Sequence, residues 1–331
     1  FALGTTHWKY SSILFSHALS SFTVMLSIYL TIRITRSSAI HWSAPLALGL
    51  TVGYSVLVEY SNAVLVIAVA LYLLINFRSL EPERLPLHAG LFLLGGLIPA
   101  GFLAYYNTVN FGGPLTFSYA YAVNYPWASS FSSTFDFPLG RGLQAMLIWG
   151  EGRGKCDPTC YNQGLFLLSP ALLLSSFGLI PYFRRSRREC TLTTTLFLIY
   201  LVLFSKHHTF HGFTSDGRYL TPFLGLWCIP LGFLLDRITQ MKRSTWQAVA
   251  HLAVYGLFFL SLRNIFLHIG FSYNYHLDLG QLSQIIARPA NWSYMLNQIF
   301  RNAENLPWLW AMEGGGLLVL LAGLRIRAYL G

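Results

Sequence analysis

Apolar runs long enough to cross a bilayer, about 17–25 residues, recur along this chain. They lie at roughly 10–32, 44–59, 61–77, 86–106, 163–183, 192–205, 217–235, 245–267 and 308–324. The pattern predicts an all-α polytopic transmembrane bundle of about nine spans. The stretch 44–77 is too long for one crossing. Glu59, Ser61 and Asn62 interrupt it, which predicts a tight helical hairpin with the polar break at its far side. The run 192–205 is short for a span and points to a packed, irregular bundle.

Between the runs, basic residues fall at every second gap. Arg33 and Arg36 follow the first span, and Arg78 and Arg84 the third. Arg184 to Arg188 ("RRSRR") follow the fifth. Arg237, Lys242 and Arg243 follow the seventh, and Arg325 and Arg327 the last. All five clusters share one face, which the positive-inside rule makes cytoplasmic. The chain start is then outside and its end inside. The outer face receives residues 1–9, the Glu59 corner, the long segment 107–162, and the pair 206–216 and 268–307. The two long segments are rich in Tyr, Trp, Asn, Gly and Pro, and long loops carry function. Within 107–162, "GRGLQAMLIWGEG" suits a helix lying in the membrane interface.

Composition agrees with this pattern. The chain is 54% hydrophobic and only 10% charged, against about 25% charged in soluble domains. Mean hydropathy is +0.49. The formal charge of +10 sits in short clusters that anchor loops, so it implies no nucleic-acid partner. The organisation is one transmembrane domain over 1–331. It divides into helices and loops over 1–235, an outer segment 268–307, and the last span with its tail, 308–331. No P-loop, dinucleotide fingerprint, HExxH or GxSxG motif is present. Cys156 and Cys160 share an outer loop, where a small-loop disulfide or free thiols are both open. The chain begins with Phe and reads at once like a protein interior, so an N-terminal part is expected to precede it.

Four stretches carry a family likeness. They are "GTTHWKYSSILFSH" (Gly4–His17), "LVEYSNAVLVIAVALYLL" (Leu57–Leu74), "AYYNTVNFGGPLTFSYAY" (Ala104–Tyr121) followed by "QGLFLLSPALLL" (Gln163–Leu174), and "SDGRYLTPFLGL" (Ser215–Leu226). Their order resembles the bacterial membrane glycosyltransferases of the GT-C superfamily, relatives of protein mannosyltransferases and of the lipid A aminoarabinose transferase. The resemblance spans most of 1–235. It implies a multi-pass protein of the bacterial inner membrane. Such a protein transfers a sugar from a polyprenyl-phosphate carrier to an acceptor at the outer face, with inversion at the anomeric carbon. In that family a carboxylate in the first outer loop serves as base or binds a divalent metal. That loop would lie upstream of Gly4, so the acid either precedes Phe1 or has been lost. If it has been lost, the chain reads as a non-catalytic subunit or scaffold of a larger membrane complex.

The candidate residues follow. Arg218, at the outer mouth of a span, fits a fork that holds a lipid phosphate; it also fits an arginine reaching past a helix cap. Tyr219 would add a hydroxyl, and Lys9 and His7 would approach the same carrier phosphate. Asp216 and Glu59 are the two acids placed to act as general base. Asp216 would alternatively orient Arg218 or bind a metal, and Glu59 would bond to a polar neighbour. His207, His208 and His211 suggest either metal ligands or an interfacial polar loop, and no metal site is assigned. Asn107, Asn110, Gly112, Gly113 and Pro114 form a turn. His17, His88 and His251 lie in or at the ends of spans without the paired spacing of axial ligands.

Overall fold

The computed structural model describes residues 1–11, 15–37, 40–76, 85–123, 125–151, 161–209, 216–242 and 244–272. The last span, 308–324, most of 268–307, His211 and the Cys156–Cys160 loop lie outside the described residues.

The protein is mostly helical. In chain order the helices are α1 (His7–Ser11), α2 (Ser16–Arg36), α3 (Ser43–Val58), α4 (Ala63–Ile75), α5 (Leu85–Phe111), α6 (Phe131–Thr134), α7 (Leu139–Leu147), α8 (Leu165–Leu168), α9 (Leu173–Arg185), α10 (Arg187–Ser205), α11 (Leu224–Thr239) and α12 (Thr245–Ser272). One small antiparallel ribbon pairs β1 (Trp149–Glu151) with β2 (Tyr161–Gln163). Among the described residues, five helical segments are long and apolar enough to cross a membrane: Ser16–Arg36, Leu85–Phe111, Arg187–Ser205, Arg218–Thr239 and Thr245–Ile265. α3 and α4 are apolar but shorter. The continuous run expected at 163–183 is broken. α8 stops at Leu168, a 3-10 turn covers Pro170–Leu172, and α9 restarts at Leu173. Pro170 cannot donate to the preceding turn, which explains the break.

Contacts gather the helix ends into two groups. At one end Arg36 meets Glu189 (2.7 Å), Arg188 meets Asn76 (2.9 Å) and Arg185 meets Asp236 (2.8 Å). At the other end Lys9 meets Asp216, His17 meets Glu59, and the Tyr200 hydroxyl donates to the Ser61 carbonyl. Thus α2, α4, α9 and α11 run toward the arginine end, and α3 and α10 run away from it. The polar break foreseen at Glu59 is a reversal. α3 ends at Val58, Glu59 is extended, a 3-10 turn covers Tyr60–Asn62, and α4 leads back.

Between lipid tails, helices gain little from apolar burial, so close packing and hydrogen bonds hold them together. Both features occur here. α3 and α5 pack in parallel through small residues. A Cβ at Gly49 would run into the Phe92 carbonyl, and one at Gly95 into the Leu46 carbonyl. α9 and α11 touch in the same way at Gly178 and Pro230. The buried stripe of α2 is polar. Thr23, Ser27 and Thr31 each return their hydroxyl to a carbonyl one turn back, so they bring no unpaired donor into the core. By contrast, Leu93, Leu97 and Phe102 on α5 are exposed, as a lipid-facing surface would be.

Of the long segment 107–162, the part expected as an interfacial helix forms α7 and β1. α7 is not surface-bound all round. Gly142, Ala145 and Met146 are buried, and Gly142 lies against the Ser205 carbonyl at the end of α10.

Candidate functional site

At the end away from the arginines, the two carboxylates singled out as candidate bases, Asp216 and Glu59, are both committed. Asp216 is 5% exposed. Its Oδ2 accepts from Lys9 Nζ at 2.8 Å, and the Tyr10 hydroxyl lies 2.9 Å from both carboxylate oxygens. α1 is a short helix whose consecutive residues Lys9 and Tyr10 both turn inward, and Lys9 is itself 4% exposed. Next comes Gly217, in the left-handed region at φ 56°, where glycine carries no Cβ penalty. That turn swings the chain from Asp216 into the 3-10 segment Arg218–Phe223. The segment is clamped from both sides. Thr221 and Thr6 hydroxyls meet at 3.0 Å, and Phe223 stacks on Tyr200.

Glu59 is the second acid. Its Oε1 accepts from Ser16 Oγ and from His17 Nδ1, each at 2.7 Å. A carboxylate only accepts, so His17 Nδ1 carries a proton. Below this pair, Asn62 Nδ2 donates to Ser20 Oγ (2.8 Å) and to the Ser55 carbonyl (2.9 Å), tying the α3–α4 reversal to α2.

Between the two carboxylates lies a small aromatic enclosure. His17 stacks on Phe15 and meets the edges of Tyr10 and Tyr219, with ring centroids 5.1–6.3 Å apart. The Arg218 guanidinium carbon is 5.3 Å from the Phe15 ring and 5.3 Å from the Tyr219 ring. Two buried nitrogens here have no hydrogen-bond partner among the described residues: Arg218 Nε and His17 Nε2. Arg218 also forms no ion pair among them. Buried polar atoms are nearly always satisfied, so these two mark a place where a polar group belongs.

A second layer adjoins Tyr219. His207 lies 4.9 Å from it, centroid to centroid. Trp127 stacks on His208 at 5.2 Å and meets His207 edge-on. His208 Nδ1 is 2.8 Å from Asp136. Of the histidines weighed as metal ligands or an interfacial polar loop, His208 meets both Asp136 and Trp127 and His207 meets Trp127, while His211 lies outside the described residues. Among the described residues, no three of His, Cys, Asp and Glu come together as metal ligands. A divalent ion at Asp216 does not fit either, because Lys9 and Tyr10 already occupy both oxygens.

The structure thus brings Lys9 to Asp216, Arg218 to Tyr219, and Glu59 to the other side of the same enclosure through His17. Among the described residues no hydrogen bond or ring contact joins His7 to Arg218. His7 packs on Phe1, with centroids 4.4 Å apart, and burial lowers its pKa from the ordinary 6.5. Tyr10, Phe15 and Ser16 were not foreseen as site residues, and no local pattern marks them. His17 carried a signal, because an ionisable group at the start of an apolar span needs a partner. The turn after α5 forms at 112–114, with Gly112 at φ 79°, but Asn107 and Asn110, expected in it, belong to the last turns of α5. His88 and His251 are buried away from the site, and His251 Nδ1 bonds the Gln247 carbonyl.

No protein family, curated protein or solved structure matches this chain.

Proposed function

We propose that the enclosure formed by Phe15, His17, Arg218 and Tyr219 receives the phosphate of a polyprenyl-phosphate-linked sugar. On this reading the protein is a membrane glycosyltransferase of GT-C type, acting at the outer face of a bacterial inner membrane. The observation that carries it is the buried Nε of Arg218, which has no hydrogen-bond partner among the described residues and is held between two aromatic rings. A guanidinium held this way is pre-oriented for a phosphate oxygen. In an inverting displacement the leaving group is an anionic polyprenyl phosphate. Arg218 would stabilise that charge as it develops. The Trp127–His208 layer beyond Tyr219 supplies flat faces and donors suited to a sugar ring. Lys9 takes part indirectly, by holding Asp216 and so the Gly217 turn that presents Arg218. The nine-span topology with an outside start belongs to the same reading, and so does the order of the four stretches Gly4–His17 to Ser215–Leu226. Binding of a polyprenyl phosphate to purified wild-type protein and to Arg218→Lys tests it. Equal affinity of the two would refute it.

A second reading is favoured by a specific observation. Asp216 and Glu59 are both held in internal pairs, and neither is left to take a proton from an acceptor hydroxyl. The chain would then bind the lipid-linked sugar as a non-catalytic subunit of a larger membrane complex. Sugar transfer by the purified protein separates the two: turnover of a lipid-linked donor supports the enzyme, and donor binding without turnover supports the subunit. Loss of transfer with retained donor binding in Glu59→Gln would assign Glu59 as the base.

A further inference from the structure

At the arginine end, the last turns of α9 and α11 border a cavity of about 310 Å³. This is at the small end of the range for ligand pockets, roughly 300–1,000 Å³. Arg184, Arg185 and Arg237 line it together with Asp236, and Ile180 and Phe233 form its apolar wall. Arg185 is already spent: it bonds Asp236 at 2.8 Å and lies over the Phe233 ring. Arg184 and Arg237 make no ion pair among the described residues. The helix C-termini on which they sit carry about half a negative charge each. Three guanidiniums against one carboxylate and two such helix ends leave roughly one positive charge over. Ile180 is 61% exposed and lies one turn before Arg184, toward the middle of α9. A ligand seated here therefore meets cations at its head and apolar surface below.

We propose that this groove binds an anionic phospholipid of the leaflet at the arginine end. Its phosphate sits between Arg184 and Arg237, and an acyl chain runs along Ile180 and Phe233. A neutral lipid lacks the surplus charge, and a free phosphate leaves the apolar wall unused. Juxtamembrane arginines attract acidic lipid surfaces in general; the groove adds a defined seat. The inference rests on the membrane reading of the helices, but not on the sugar-transfer chemistry proposed for the opposite end.

The test uses the full chain purified in a neutral detergent, with native mass spectrometry after titration with phosphatidylglycerol, phosphatidylcholine or inorganic phosphate. Phosphatidylglycerol is expected to give a one-lipid adduct at concentrations at which phosphatidylcholine gives none. Arg184→Gln/Arg237→Gln is expected to weaken that adduct at least about tenfold, while Asp236→Asn is expected to strengthen it. Arg218→Lys is expected to leave it unchanged, which separates this site from the one for the lipid carrier. Equal adducts with both lipids, or an adduct unaffected by the double substitution, would overturn the proposal. So would competition by millimolar inorganic phosphate, which would assign the groove to a free anion instead.

Discussion

Lys9 and Asp216 are 207 positions apart in the chain, yet their side chains meet at 2.8 Å in a place where both are almost fully buried. The contact joins α1 to the turn that launches α11, and Tyr10 closes it from the side. Removing one member of a buried ion pair strands the other charge, at a cost of about 3–5 kcal/mol. Lys9→Met alone is therefore expected to lower the thermal midpoint in detergent strongly, and Asp216→Leu likewise. The double substitution is expected to recover much of the loss, because no charge is left unpaired. Additive losses in the double variant would show that the two residues do not act as a pair.

The parallel contact of α3 and α5 depends on the absence of side chains at Gly49 and Gly95. Gly49→Val puts a branched side chain against the Phe92 carbonyl and forces the helices apart. Overpacking of this kind costs about 1–3 kcal/mol. The same substitution at Gly101, which faces open space on α5, is expected to have a far smaller effect. Thermal unfolding of the two variants side by side decides this.

Burial lowers the His7 pKa, so between the folded and unfolded values the unfolded chain binds more protons than the native one. Stability then rises with pH. The contribution is present above the ordinary histidine value of 6.5 and is lost as the pH falls below it. His7→Phe keeps a ring against Phe1 and removes the titration. Its unfolding midpoint is expected to fall less steeply than that of the wild type below pH 6.5. Identical slopes would exclude His7 as the cause.

Among the described residues, the arginines at or just after the ends of α2 and α9 gather at one end as the sequence pattern suggests; the clusters at 78–84 and 325–327 lie outside them. The Glu59 reversal was readable too, since three polar residues within an apolar stretch need a turn. The break at Pro170 was read through, because apolar residues flank it on both sides and hydropathy is blind to backbone geometry. At the site, Asp216, Glu59 and Arg218 stood out as ionisable groups beside apolar segments. Their partners did not. Lys9 and His17 reach them by tertiary packing, and no spacing along the chain encodes which acid each one meets. Of the aromatic walls only Tyr219 stood out, beside Arg218; with 16% aromatic residues, a Phe15 or a Tyr10 looks like any other apolar position.

The sidedness is open to a labelling experiment in a background with the native cysteines replaced. Ser130→Cys lies beside the Trp127 layer, and Ser186→Cys lies between α9 and α10 at the arginine end. In intact cells a membrane-impermeant maleimide is expected to label the first and not the second. Labelling of both, or of the second alone, would reverse or dismantle the proposed orientation.

The most direct test concerns Arg218. A polyprenyl phosphate is titrated into the purified full chain, and binding is followed for the wild type, Arg218→Lys and Arg218→Ala. Lysine keeps the charge but loses the planar fork and its Nε. The expected result is at least about a tenfold loss of affinity for Arg218→Lys and a greater loss for Arg218→Ala, with thermal midpoints close to that of the wild type. Unchanged affinity in both variants would contradict the assignment of the Phe15–His17–Arg218–Tyr219 enclosure as a lipid-phosphate site.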